Sequence, residues 1–96
     1  MKAEPLLKER IIQSDNSFVE LVVWKVPMPL IGSTHSFKYR LAFVVEGVCV
    51  LRYDNEAGKG DHKHRNGLEI AYSFKSPQHL LADFWHDVDQ WRKDNE

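Results

Sequence analysis

Cysteine is almost missing from this chain: Cys49 stands alone among 96 residues. No internal disulfide can form, so the sequence does not read as a stapled secreted domain. Between Val48 and Val50, that thiol reads as a packed strand residue. Charge of one sign is missing too. Thirteen Lys and Arg stand against fourteen Asp and Glu, for a net charge of -1, and this total advertises no nucleic-acid partner. Long apolar runs are absent: no stretch approaches the ~20 residues that cross a bilayer. Met1-Lys2-Ala3-Glu4-Pro5 leads into no apolar run, so no signal peptide is expected, and the expected location is the cytoplasm, with no membrane partner. Repeats and low-complexity tracts are also lacking. A length of 96 residues leads us to expect a single domain over 1–96.

What is present is strand pattern followed by helix pattern. Leu6 to Ser14 reads as a first strand, closed by the turn-formers Ser14-Asp15-Asn16-Ser17. Phe18 to Val26 is rich in Val, Phe and Trp, and Pro27 and Pro29 end it. Phe37 to Glu46 alternates: Phe37, Tyr39, Leu41, Phe43 and Val45 point one way, and Lys38, Arg40 and Glu46 the other. Glu46-Gly47 turns the chain into Val48 to Tyr53. Asp54 to Gly67 reads as a polar loop. Ile70, Tyr72 and Phe74 then alternate as a short last strand. Ser76 is a good N-cap and Pro77 suits the first helical position. Leu80, Leu81, Phe84, Val88 and Trp91 form one apolar stripe, with Asp83, Asp87 and Gln90 assigned to the opposite face. The expectation is an α+β fold: an antiparallel meander of four to five strands, with one C-terminal amphipathic helix packed on a sheet face. The predicted core is Leu21, Val23, Leu41, Phe43, Val50, Phe74, Leu81, Phe84 and Val88.

The chemistry concentrates between Arg52 and Arg65. A hairpin connection needs only two to five residues. This one spends about a dozen, most of them ionisable, and such loops are commonly functional. One reading is RNA cleavage. Histidine titrates near neutrality, so His62 and His64 can exchange protons with a ribose 2′-hydroxyl and a leaving oxygen. Lys59, Lys63, Arg65 and Arg52 supply cations for phosphate. Gly58 and Gly60 let backbone N–H groups come close to it. Asp61 or Asp54 can orient a histidine, and Tyr53 can stack on a base or donate a hydrogen bond. A second reading is a divalent metal held by Asp54, Asp61, His62 and His64. If His-x-His is extended, both rings fall on one face. Lys59, Lys63 and Arg65 argue against it, so the expectation is no metal and no cofactor. A third reading is a solvated polar loop, because the spacing matches no phosphate-loop or zinc-finger pattern.

Other residues carry paired readings. His35 is a third site histidine or a plain loop histidine. Arg40 reaches phosphate or makes a surface salt bridge. His79 and His86, beside Asp83 and Asp87, suit a solvated helix face. Trp24, Trp85 and Trp91 suit the core or an interface, and Trp24 and Trp91 would serve a homodimer as well as a core.

Tyr53-Asp54-Asn55-Glu56 followed by Gly58-Lys59-Gly60-Asp61-His62-Lys63-His64 resembles the signature of TumE-type toxins. The likeness extends to Val22-Val23-Trp24-Lys25-Val26-Pro27, Ser33-Thr34-His35-Ser36, Tyr39-Arg40-Leu41-Ala42 and Leu80-Leu81-Ala82-Asp83-Phe84-Trp85, covering roughly residues 18–91. The resemblance implies the toxin of a type II toxin–antitoxin module, neutralised by an antitoxin with a helix-turn-helix DNA-binding domain. It hands over no catalytic mechanism. With the loop chemistry it gives a working expectation of a metal-independent endoribonuclease acting on RNA. His62, His64, Lys59, Asp61 and Tyr53 would be catalytic. Arg65, Lys63, Arg40, Arg52 and His35 would bind RNA. A non-catalytic RNA- or protein-binding module and a metal-dependent nuclease are the alternatives.

Overall fold

The computed structural model describes residues 2–56, 58 and 60–95. Among them, six strands form one antiparallel sheet in simple sequence order: β1 Glu4–Ser14, β2 Ser17–Lys25, β3 Phe37–Val45, β4 Val48–Asp54, β5 His62–Arg65 and β6 Leu68–Ala71. Helix α1, Pro77–Asp94, follows and covers one sheet face. The class is the expected α+β meander with a C-terminal helix, and the strand count is higher than expected. The additional strand is β5, inside the stretch read as loop. His62–Arg65 pairs with β4 and, through a two-residue Asn66-Gly67 turn, with β6. Asn66 and Gly67 both have positive φ (52° and 81°), the conformation such hairpin turns require. The connection after β4 is therefore the seven residues 55–61 instead of about a dozen.

The alternation read in the sequence sets the faces. Val19, Leu21, Val23, Tyr39, Leu41, Phe43, Leu51 and Tyr53 are buried beneath the helix, together with Leu80, Phe84 and Val88 from it. Each such aliphatic or aromatic side chain contributes on the order of 1.5–3 kcal/mol when buried. Phe84 meets Tyr53 edge-on at 5.7 Å and Trp91 meets Phe43 at 5.4 Å, fixing the helix over β3 and β4. Val50, Phe74 and Leu81 pack at the core's margin and are only partly buried. Ser76 caps α1 as expected, its hydroxyl accepting from the His79 N–H at 3.0 Å.

Three local expectations fail. The last strand is Leu68–Ala71 and stops before Tyr72 and Phe74. Cys49 is exposed, because a bulge between Phe43 and Val44 shifts the register where β4 begins. Asp87 is buried and turned to the sheet. It lies three residues after Phe84 and four before Trp91, within the stripe that packs rather than opposite it. Among the described residues, no helix is long and apolar enough to cross a membrane.

Candidate functional site

The meander distributes the ionisable residues over two sheet faces. Residues directly paired across strands share a face. Two rows therefore cross the helix-free face: Arg40–Asp54–His62–Ala71 and Ala42–Arg52–His64–Glu69. The alternating residues Leu51, Tyr53, Lys63 and Arg65 point under the helix.

The approach to β5 is built by glycine and asparagine. Gly60, at φ 79°, lies so close to Gly32 that a Cβ on it would sit 2.6 Å from the Gly32 carbonyl oxygen. Only glycine tolerates both constraints. The fully buried Asn55 accepts from the Tyr39 N–H at 3.1 Å and donates to the Phe37 carbonyl at 2.7 Å, extending the β3–β4 ladder with a side chain. These bonds hold Asn55 against the sheet, and the close approach of Gly60 to Gly32 aims the strand that follows.

On the open face, His62 is buried and tightly held. Its Nδ1 lies 3.0 Å from the Gly60 carbonyl oxygen and its Nε2 3.0 Å from Asp54 Oδ1. Glu69 Oε1 lies 3.9 Å from the same Nε2. His64, two residues on, sets its ring edge-on to His62 with centroids 5.2 Å apart. Among the described residues, no hydrogen bond or ion pair engages the His64 ring. Arg52 Nε approaches Asp54 Oδ2 at 2.8 Å without hydrogen-bond alignment, so that contact is Coulombic. Arg40 is exposed beside Asp54. The expected sharing of one face by His62 and His64 thus holds, with Arg52 and Arg40 adjacent.

The remaining predicted residues go elsewhere. Tyr53 donates a short hydrogen bond to Asp87, and Lys63 Nζ reaches the same carboxylate at 3.1 Å. Arg65 lies 3.9 Å from Asp87 and 3.4 Å from Asp94. Burial first, and the Asp87 hydrogen bond second, raise the Tyr53 phenol well above its ordinary range. Asp61 accepts from Tyr39 Oη at 2.6 Å and from His35 Nε2 at 2.8 Å. His35 Nδ1 accepts the Phe37 N–H at 3.2 Å, so its proton is on Nε2, and its ring stacks on Phe74 at 3.8 Å. Tyr39 is raised for the same two reasons, burial and then Asp61. Tyr72 repeats the pattern, donating at 2.6 Å to Asp83, which also pairs with His79 at 3.1 Å. Asp61, Tyr53, Lys63, Arg65 and His35 are therefore engaged away from the His62–His64 pair. Lys59 lies outside the described residues.

Sequence reasoning missed three participants. Asp87 was assigned to solvent. Asn55 gave no signal beyond its place in the motif. Glu69 had one: Asn66-Gly67 is a strong two-residue hairpin signature, and that register sets Glu69 opposite His64.

A family model described as Toxin TumE matches residues 2–92 of the chain. No curated protein and no solved structure matches it.

Proposed function

The chain belongs to the Toxin TumE family, and from that premise we propose that it is a toxin acting on RNA as an endoribonuclease through its helix-free sheet face. Membership of a toxin family makes it the toxin side of a toxin–antitoxin module with a cognate antitoxin. RNA as target is our reading of the face itself. The observation that carries it is the His62–His64 pair, 5.2 Å apart on a face that no other element covers among the described residues, with Arg52 and Arg40 alongside.

Cleaving a phosphodiester beside a ribose 2′-hydroxyl requires a neutral-pH proton acceptor or a Lewis acid at that hydroxyl. It also requires fixed positive charge for the phosphate. His62 and His64 supply the first requirement, directly or as ligands, and Arg52 and Arg40 the second. An arginine fork matches a phosphate in two places, and an open sheet admits an unpaired strand. Lys63 and Arg65 lie on the helix face against Asp87 and Asp94, so they fall outside the phosphate-binding set in this reading. The antitoxin, which we take to carry a helix-turn-helix domain, would neutralise the chain by covering this face.

Expression of the chain alone in a bacterial host tests the reading. Growth arrest with loss of intact RNA is expected from the wild type. The His62→Ala/His64→Ala chain should be tolerated, and co-expressing the neighbouring gene should relieve the arrest. Undiminished toxicity in the double variant would remove the open face from the mechanism.

A further inference from the structure

We infer that His62, His64 and Glu69 form a binding site for one divalent transition-metal ion of the zinc type. The inference rests on the reading of the open face as the working face, and it specifies what that face holds. One nitrogen from each histidine and one Glu69 oxygen all lie within 4.8 Å of one another. The β5–β6 register produces this: the histidines alternate on one strand, and Glu69 is the direct cross-strand partner of His64. Ligand bonds of about 2.0–2.2 Å require donors roughly 3–3.5 Å apart, so small rotations of His64 and Glu69 close the set around a fixed His62.

His62 is prepared for the task. The Gly60 carbonyl can only accept, so the contact at 3.0 Å puts a proton on Nδ1. In the neutral ring the Nε2 lone pair then faces Asp54 Oδ1 at 3.0 Å and Glu69 Oε1 at 3.9 Å. A lone pair opposed by carboxylate oxygens is repulsive unless a cation sits between them or a second proton occupies Nε2. A His64 nitrogen within 4.8 Å of the other two donors favours the ion, because a proton needs no third donor. A carbonyl behind an imidazole, fixing its tautomer, is also how metal-binding histidines are commonly oriented.

The objection visible in the sequence was nearby positive charge. Lys63 and Arg65 are turned to the helix face and bound to Asp87 and Asp94. Arg52 is paired with Asp54 at 2.8 Å, and Glu69 brings a carboxylate to the set. Two imidazoles and one carboxylate favour zinc, manganese, cobalt or nickel over magnesium or calcium, which prefer oxygen ligands. An ion on His62 Nε2 would also lie against Asp54 Oδ1, and coordination beyond four leaves a position open to water or to a phosphate oxygen.

Calorimetric titration of the untagged full chain, first stripped with chelator, with zinc chloride and separately with magnesium chloride tests the site. Saturable binding of one zinc per chain is expected. His64→Ala and Glu69→Gln should each weaken it at least about a hundredfold with unchanged far-ultraviolet circular dichroism, while His35→Ala and Cys49→Ser leave it intact. Absence of saturable zinc binding, binding undiminished in both His64→Ala and Glu69→Gln, or binding of magnesium alone would each overturn the inference. Zinc binding as expected in a chain that leaves RNA intact would keep the site and remove the RNA reading. RNA cleavage in chelator without zinc binding would do the reverse.

Discussion

Replacing Asp87 by alanine separates two pictures of α1. In a helix with a plain polar outer face, Asp87 is solvated and its loss changes stability by no more than about 0.5 kcal/mol. The structure instead places it under the helix, accepting from Tyr53 and pairing with Lys63 and Arg65. A hydrogen bond from a buried hydroxyl to a charged acceptor contributes about 1.5–3 kcal/mol. The Lys63 side chain is 24% exposed, so its pair with Asp87 is discounted for solvent screening to about 0.5–1 kcal/mol. Arg65 keeps Asp94 and adds nothing. The expected cost of Asp87→Ala is therefore about 2–4 kcal/mol, or a drop in Tm on the order of 10–25 °C for a domain of this size. Urea and thermal unfolding followed by circular dichroism measure it, with the exposed Asp89→Ala as the neutral comparison. Adding Lys63→Met to the Asp87→Ala chain should recover part of the loss, because it removes the ammonium left without a carboxylate. A cost for Asp87→Ala indistinguishable from that of Asp89→Ala would refute this account of the helix–sheet interface.

Tyr39, Tyr53 and Tyr72 are the only tyrosines, and burial followed by a carboxylate hydrogen bond raises all three phenols. A phenol raised on folding contributes its stability in full below the unfolded value of about 10 and loses it as pH climbs toward the folded value. Alkaline titration should therefore show no tyrosinate absorbance near pH ~10, then three tyrosinates appearing together as the chain unfolds; separate ionisation of any one at an ordinary phenol pH would contradict this. Gly60→Ala should cost at least twice as much stability as Gly67→Ala in urea. Both positions have positive φ, but a Cβ at Gly60 meets the Gly32 carbonyl oxygen at 2.6 Å whereas one at Gly67 meets nothing within 4 Å. Equal costs would mean that the two loops do not approach as described.

Much of the fold was legible because its signals are local. The alternation from Phe37 to Val45 and the Ser76-Pro77 start followed by an apolar stripe each specify one element and one face. The strand β5 was hidden because His62-Lys63-His64-Arg65 has no apolar alternation. One of its faces is open, and the other is matched by carboxylates of the helix instead of by hydrocarbon. Asp87 was misplaced for the related reason that a carboxylate counts as a solvent residue until its partners are known. In the site, the shared face of His62 and His64 followed from strand geometry alone. The separation of Tyr53, Lys63 and Arg65 onto the other face needed the pairing register. So did Glu69, which the Asn66-Gly67 turn specifies once the turn is given its weight.

The central claim is that the open face, and not the helix face, carries the activity. Degradation of a defined RNA by the purified chain tests it most directly, with His64→Ala and Arg65→Ala compared against wild type. The account predicts cleavage lowered roughly 10²–10⁴-fold by His64→Ala and nearly unchanged by Arg65→Ala. Full cleavage by His64→Ala, or a loss confined to Arg65→Ala, would contradict it.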